Sequence, residues 1–298
     1  MKVLFSDCTF TQETLAYLKK EKDITVIQGK IGYTEEELIA DLKEVDAYIL
    51  NGDEIATAHV IANSKHLKLI SFMGTGYEKY IDVAACQKYG IPVSYAPHAN
   101  AKSVAEYTVA LILDMVKKVT YSYLDTIEKG NWGKLQTWDL AGKTLGIVGM
   151  GAIGQHVARM LHFGFGMQIL YSGRHPKKEL EAELGATMVS LNELFAQSDV
   201  ISIHAAYHPN TLGMIGQEQF AQMQSHAIIV NTTRQELIQK EALLAALQKK
   251  QFAGIAMDGY YSEPIVNPQN EALLQLPPDR FLITPHTAYN SEDAVRAM

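Results

Sequence analysis

Three glycines at the spacing G-x-G-x-x-G, Gly149, Gly151 and Gly154, stand between an apolar run, Gly146-Ile147-Val148, and a helix-like stretch, Gln155-His156-Val157-Ala158-Arg159-Met160-Leu161. The chemistry such a run supports is phosphate binding. The first glycine permits a tight turn out of a strand, the second lets a pyrophosphate approach the backbone, and the third lets helix pack against strand. The phosphates then rest on N–H groups at a helix N-terminus. A dinucleotide site is therefore expected at Gly149, Gly151, Ala152, Ile153 and Gly154. Roughly 20 residues beyond such a run, an acidic residue normally holds the adenosine ribose of NAD. Here the stretch reads Tyr171-Ser172-Gly173-Arg174-His175-Pro176-Lys177-Lys178, with no carboxylate before Glu179. A carboxylate repels a 2′-phosphate, whereas a guanidinium holds one with paired charge-assisted hydrogen bonds. Ser172, Gly173 and Arg174 thus point to NADP(H) as the preferred cofactor, with NAD(H) as the second choice; the bland alternative is a solvated basic turn.

G-x-G-x-x-G carries weight only after a strand and before a helix, so the elements around it matter. Short apolar runs that read as strands occur at 3–5, 24–27, 47–50, 69–72 and 92–95. Between them lie amphipathic stretches, two of them opened by capping-box spacings: Thr9-Phe10-Thr11-Gln12, leading through Leu15 and Leu18, and Thr34-Glu35-Glu36-Glu37. A second alternation follows the glycines, with strands expected at 144–148, 168–171, 200–204, 227–231, 252–257 and 281–283. Strands alternating with helices imply parallel sheets covered by helices. Ala227-Ile228-Ile229-Val230 is continuously apolar, as expected for a strand buried on both faces. Joining the two halves is the longest helical signal, opened by Ser103-Val104-Ala105-Glu106. Its stripe runs Val104, Tyr107, Thr108, Leu111, Ile112, Met115, Val116 and Val119, and is read as core packing. The preceding Ala96-Pro97-His98-Ala99-Asn100 is a candidate crossover.

The bulk numbers exclude several functions. A chain of 298 residues with 47% hydrophobic and 20% charged side chains has the apolar mass for two cores. A net charge of -7 argues against nucleic acid or an anionic membrane as partner. No apolar run approaches the ~20 residues of a membrane span, and Met1 leads almost directly into an apolar run rather than a signal-peptide core. Two cysteines, Cys8 and Cys86, read as reduced structural thiols of a cytoplasmic protein.

Several motifs together resemble the D-isomer-specific 2-hydroxyacid dehydrogenase family: Phe72-Met73-Gly74-Thr75-Gly76-Tyr77-Glu78-Lys79-Tyr80-Ile81-Asp82-Val83, Gly90-Ile91-Pro92-Val93, Ser103-Val104-Ala105-Glu106-Tyr107-Thr108-Val109-Ala110, the glycine run, and Thr284-Pro285-His286-Thr287-Ala288. The resemblance covers nearly the whole chain. It implies two doubly wound α/β domains with parallel sheets: a flavodoxin-like substrate-binding domain, 1–99 with 286–298, and an inserted Rossmann dinucleotide-binding domain, 100–285. By motif, Arg234 in Asn231-Thr232-Thr233-Arg234 would clamp the substrate carboxylate and polarise its 2-oxo group. Glu263, before Pro264, would be the acid partner of the catalytic His286. The resemblance also implies cofactor contacts at Thr108, Thr211, Thr232 and Asp258, and substrate contacts at the backbone of Thr75 and Gly76. Asn51, Gly52 and Asp53, after the third strand, are weaker candidates for the pocket.

Elementary chemistry agrees with these roles. Hydride reaching a carbonyl carbon leaves charge on oxygen, so a fixed cation and a proton donor are needed there. A carboxylate beside the histidine favours imidazolium. Four features depart from the family pattern: Gln235 where glycine commonly follows the arginine, Ala206 where proline commonly follows His204, Gly259 in place of an apolar β-branched residue, and an early end at Met298. Gln235 and Tyr260 are expected to reshape the substrate end. His204 and His208 have a metal-ligand spacing, but Pro209 and the preceding strand argue against a helix aligning them, and no metal is expected. Trp132 and Trp138 read as packing or subunit-contact residues. The sequence thus predicts an NADPH-dependent reductase of a small 2-oxo acid, giving the D-2-hydroxy acid and acting as a homodimer. The alternative is a non-catalytic, corepressor-like dinucleotide sensor of the same fold.

Overall fold

The computed structural model describes residues 1–6, 16–17, 20, 23–52 and 54–298. Apart from residues 16 and 17, the helix expected from Thr9 through Leu18 lies outside the described residues, as do Cys8 and Asp53. The chain divides into two units, Met1–Asn100 with Tyr289–Met298, and Ala101–Ala288. The return to the first unit begins at Tyr289 rather than at residue 286, so His286 belongs to the second.

In the first unit, β1 (Lys2–Phe5), β2 (Thr25–Gln28), β3 (Ala47–Leu50), β4 (Leu69–Phe72) and β5 (Val93–Tyr95) form a parallel sheet in the order β2-β1-β3-β4-β5. Helices α1 (Glu35–Leu42), α2 (Ala58–Asn63) and α3 (Val83–Tyr89) follow strands as the alternation predicts. The Thr34 box forms: Thr34 Oγ1 accepts from Glu37 N at 3.3 Å, and Glu37 returns the bond to Thr34 N at 3.0 Å. Two otherwise orphaned donors are thereby satisfied. Leu4, Tyr48, Leu50 and Ile70 pack with Leu38, Val60 and Ala85 in one core.

The second unit opens with α4 (Ala101–Lys117) and α5 (Val119–Lys129). It continues with β6 (Thr144–Val148), α6 (Ala152–Phe165), β7 (Gln168–Ser172), α7 (Lys178–Leu184), β8 (Thr187–Met188), α8 (Leu191–Gln197), β9 (Val200–Ile203) and α9 (Gln217–Gln222). Then follow β10 (Ile228–Asn231), α10 (Lys240–Gln248), β11 (Gly254–Asp258) and β12 (Phe281–Thr284). Seven parallel strands are ordered β12-β11-β10-β9-β6-β7-β8. The order reverses beside β6, the strand that leads into the glycine run. In open α/β sheets ligands bind at such a switch point, off the carboxyl ends of the strands. The apolar run of β10 has the two-faced burial expected: Ile228 and Val230 pack with Leu145 and Ile147, and Ile229 packs on the opposite face with Phe195 and Phe220.

Three features differ from the sequence reading. Helix α4 begins at Ala101, so Ser103 does not cap it; its hydroxyl donates to Ala288 O at 3.0 Å. The apolar stripe is buried only from Val104 to Val116, because Lys118, at φ +54°, turns the chain into the left-handed region and leaves Val119 exposed. Strand β8 has only two residues, too few for a period-2 signal, and is a strand because it pairs with Leu170 and Tyr171. Gly146, in the strand ahead of the fingerprint, also has a role the sequence did not reveal. A β-carbon on Gly146 would lie 2.2 Å from Ser198 Oγ and 2.6 Å from Leu194 Cδ2, so β6 approaches α8 too closely for any side chain. Gly146→Ala should therefore cost about 1–3 kcal/mol of stability by overpacking, read as a lower urea midpoint at unchanged slope.

Candidate active site

The three fingerprint glycines meet three different constraints. Gly149 is at φ +94°, and a β-carbon there would lie 2.6 Å from Ala205 N, where the chain leaving β9 crosses. Its own N–H donates to Ser172 O at 2.9 Å, tying the turn to the end of β7. A β-carbon on Gly154 would meet Gly149 O at 2.6 Å and Ile147 Cγ2 at 3.0 Å, which fits the helix-to-strand role. Around Gly151 nothing lies within 4 Å of a β-carbon position. Gly151 is the N-cap of α6 and no side chain caps it. The first-turn N–H groups of α6, at Ala152, Ile153 and Gly154, lack intrahelical acceptors and project from the sheet's carboxyl edge, so the cradle fits a diphosphate.

Two strands away in the sheet, beyond the end of β10, stands Arg234. Asn231, the last residue of β10, is fully buried and folds the turn that carries it: Oδ1 accepts from Thr233 N at 3.0 Å and Thr233 Oγ1 at 2.9 Å, and Nδ2 donates to Arg234 O at 3.1 Å. Asparagine at a strand end commonly makes such turns, and this is the signal by which its role could have been read. The extended backbone of Arg234 then leads into a single 3-10 turn, Gln235–Leu237.

Glu263 and His286 come from the loops after β11 and β12. His286 Nδ1 pairs with Glu263 Oε2 at 2.8 Å, and Glu263 Oε1 accepts from Tyr260 N at 2.7 Å. Arg234 Nη1 stands 3.4 Å from His286 Nε2. Since guanidinium only donates, Nε2 is the acceptor in this arrangement and Nδ1 carries the proton given to Glu263. The three groups selected from the sequence thus form one row: guanidinium, imidazole, carboxylate. Both His286 and Glu263 are partly exposed, each at 29%.

What holds the row in place is Asp258, at the end of β11 and only 1% exposed. Its carboxylate accepts from Thr284 Oγ1 at 2.6 Å, Thr287 N at 2.9 Å and Ala288 N at 2.8 Å. These bonds pin the loop on both sides of His286. That residue is at φ +54°, a conformation costing an ordinary side chain about 1–2 kcal/mol, and His286 N–H closes a three-residue turn on Thr284 O at 2.9 Å. In this structure both carboxylate oxygens of Asp258 serve as an anchor for the 284–288 segment.

The remaining candidates separate. Thr108 has no exposed surface; its hydroxyl bonds Val104 O at 2.7 Å and Thr232 Oγ1 at 2.8 Å, joining α4 to the end of β10. The two threonine hydroxyls thus bond one another in the interior. Thr211 closes its own loop, Oγ1 accepting from His208 N at 2.9 Å with its one proton within reach of Ala206 O at 2.8 Å and His208 O at 2.9 Å. Ser172 is half-buried, while Gly173 and Arg174 are exposed. The basic loop is closed at its base by Tyr171, whose OH accepts from Lys177 N at 2.7 Å and donates to Glu181 at 2.5 Å. That carboxylate is thereby drawn to the base of the loop. Burial pushes the His204 imidazole down to about 3, so it is neutral, and its Nε2 meets Ser202 Oγ at 2.7 Å. His208 Nδ1 instead accepts from Asn210 N.

Tyr260, expected at the substrate end, is a core residue at 2% exposure, its OH donating to Glu271 at 2.7 Å and its ring meeting Phe281 edge-on. Gln235 is buried as well. In the first unit, Asn51 Nδ2 donates to Tyr289 OH at 2.8 Å, and Gly52 at φ +109° accommodates the Tyr80 ring. The turn at Thr75 is exposed, and its positive-φ residue is Gly74, at +150°, rather than Gly76.

A family model described as D-isomer specific 2-hydroxyacid dehydrogenase, NAD binding domain, matches residues 109–288, inside the second unit. A glyoxylate reductase of Aeropyrum pernix is 35% identical over 268 residues, 87% of this chain and 78% of that protein. A D-3-phosphoglycerate dehydrogenase of Methanocaldococcus jannaschii is 34% identical over 283 residues; 94% of this chain is aligned, and the chain spans about half of that relative's length, 52%. Among solved structures, D-lactate dehydrogenase from Aquifex aeolicus complexed with NAD and lactic acid is 29% identical with a TM-score of 0.82, covering 99% of this chain and 91% of that one. An acyclic imino acid reductase in complex with NADPH and D-Arg is 25% identical with a TM-score of 0.83, covering 100% and 93%. The second unit is a nicotinamide dinucleotide-binding domain.

Removing the Asp258 carboxylate orphans two buried or half-buried main-chain donors and one hydroxyl. Asp258→Ala should lower unfolding free energy by about 1–3 kcal/mol for each orphaned donor that water cannot reach, measured by urea titration.

Proposed function

The chain belongs to the D-isomer-specific 2-hydroxyacid dehydrogenase family of oxidoreductases, and from that membership we propose that it reduces a small 2-oxo acid to the D-2-hydroxy acid with NADPH. The observation that carries the reading is the row Arg234–His286–Glu263. When bound at the glycine run, a reduced nicotinamide supplies the hydride. Arg234 holds the substrate carboxylate with its planar fork and draws electron density onto the 2-oxo oxygen. That oxygen takes the place between Arg234 and Nε2 now bridged by their 3.4 Å contact. His286 acts as the imidazolium: with Nδ1–H held by Glu263 and a proton taken up on Nε2 when the substrate oxygen replaces the Arg234 contact there, it gives that oxygen the Nε2 proton as charge develops and is left neutral. Asp258 keeps the imidazole aimed by holding the main chain on either side of it.

The preference for NADPH is supported by the exposed Gly173-Arg174-His175 segment, in which a guanidinium stands where an acidic residue would select NAD. Glyoxylate, hydroxypyruvate and a branched 2-oxo acid are the candidate substrates. A second copy of this chain is the proposed partner: Val119, Tyr123 and Ile127 recur at i, i+4, i+8 on α5, all exposed, and Trp132 beyond them is 88% exposed. We place the protein in the cytosol; Cys86 is a free, buried thiol, and among the described residues no helix is long and apolar enough to cross a membrane.

A panel of 2-oxo acids with NADPH and NADH, followed by the near-ultraviolet absorbance of the reduced cofactor, tests the reading. Tight cofactor binding without turnover of any acid would favour the dinucleotide sensor instead. Arg234→Ala should abolish turnover and leave cofactor affinity nearly intact, and activity above roughly a tenth of wild type would remove Arg234 from the chemical step. Arg174→Ala should weaken NADPH far more than NADH in equilibrium titrations; equal losses would place the 2′-phosphate elsewhere.

A further inference from the structure

Two of the departures noted in the sequence, Gln235 and Gly259, meet in space beside the charged row. Gln235 follows Arg234 directly, is 2% exposed, and donates from Nε2 to Asp258 O at 2.7 Å. Gly259, the next residue after Asp258, is at φ +103° and donates its N–H to Thr284 O at 2.8 Å. A β-carbon on Gly259 would lie 2.2 Å from Glu263 Oε1 and 2.7 Å from Gln235 Nε2. The carboxylate oxygen and the amide nitrogen therefore share the room that a side chain at 259 would occupy. The two departures are one exchange: residue 259 gives up its side chain, and residue 235 fills the space from the opposite loop.

That exchange links parts of the site that nothing local in the sequence connects. Through its amide, the turn carrying Arg234 is fastened to the main chain of Asp258. The carboxylate of the same Asp258 fastens the loop carrying His286. Glu263 sits over Gly259, beside the amide, with its other oxygen on His286. We propose that Gln235 is a positioning residue for the reduction, its amide over Gly259 setting the distance between Arg234 and the Glu263–His286 pair. This inference rests on the function proposed above. The groups facing His286 are Glu263 on Nδ1 and Arg234 on Nε2, with Asp258 reaching its flanking main chain.

Gln235→Met keeps length and approximate volume and removes the donor. For 2-oxo acid reduction, kcat/KM should fall roughly 10- to 100-fold, the scale of a displacement near 1 Å at a reacting centre, with NADPH affinity retained. A readout independent of turnover is the downfield proton resonance of the His286 Nδ1–H bonded to Glu263, assigned by its loss in His286→Asn. In Gln235→Met this resonance should shift or broaden away, and in Gly259→Ala, where the new β-carbon meets the Glu263 carboxylate, it should be lost. Gln235→Asn, one methylene shorter, is the second variant and should behave as Gln235→Met does. An unchanged resonance together with unchanged kcat/KM in a folded Gln235 variant would overturn the proposal and leave Gln235 a packing residue. If wild type turns over no 2-oxo acid, the function reading falls, while the resonance in the Gln235 variants still decides whether the amide positions His286.

Discussion

The arrangement of the charged groups depends on one buried carboxylate. Asp258 ends β11, the strand beside edge strand β12 of the second sheet, and directs its oxygens to the main chain and hydroxyl of residues 284–288. A carboxylate taken out of water is tolerated only where hydrogen bonds replace its hydration, and charge-assisted bonds from fixed donors do so well. The reward is geometric. A histidine in the left-handed region would relax without external restraint, and here donors immediately after it are held to a rigid strand. Glu263 can then meet Nδ1 at hydrogen-bond distance, leaving Nε2 to face Arg234.

Around this anchor the second unit solves a crowding problem with missing side chains. Gly146 lets α8 lie against β6, Gly149 lets the chain after β9 cross the turn, Gly154 seats α6, and Gly259 makes room for Glu263. Of the three fingerprint glycines, Gly151 alone faces free space. Two of the three fingerprint glycines are thus taken up by protein packing, so the fingerprint reports the fold at least as much as a ligand. The polar groups follow a similar economy. Thr108 and Thr232 satisfy one another in the interior, and Asn231 spends its amide on the turn that presents Arg234.

Much of this was legible in the amino-acid order. Strand positions followed from apolar runs, because strands buried on both faces need no polar alternation, and nearly every predicted strand lies within two residues of its observed bounds. The Thr34 box was readable because capping is a local exchange of hydrogen bonds. The box at Ser103 was misleading for the complementary reason: its hydroxyl found a better acceptor at Ala288, far away in sequence, and the helix began earlier. Tyr260 looked like a substrate-end residue from its neighbours, yet the fold turns its ring into the core and gives its hydroxyl to Glu271.

The sequence by itself determined the two parallel α/β units and the strand–glycine turn–helix around Gly149, and its motifs singled out Arg234, Glu263 and His286, which the fold sets in one row. Each of these is written in short-range patterns of residue type, or in a motif order that resembles one family. Tertiary structure alone decided that Asp258 would hold a loop, that Thr108 would be sealed away, and that Gln235 and Gly259 would occupy one another's space. The reason is distance along the chain. Residues 235, 259 and 286 lie on separate strand-end loops, and which side chain fills a gap left by another is settled only when the sheet sets those loops side by side.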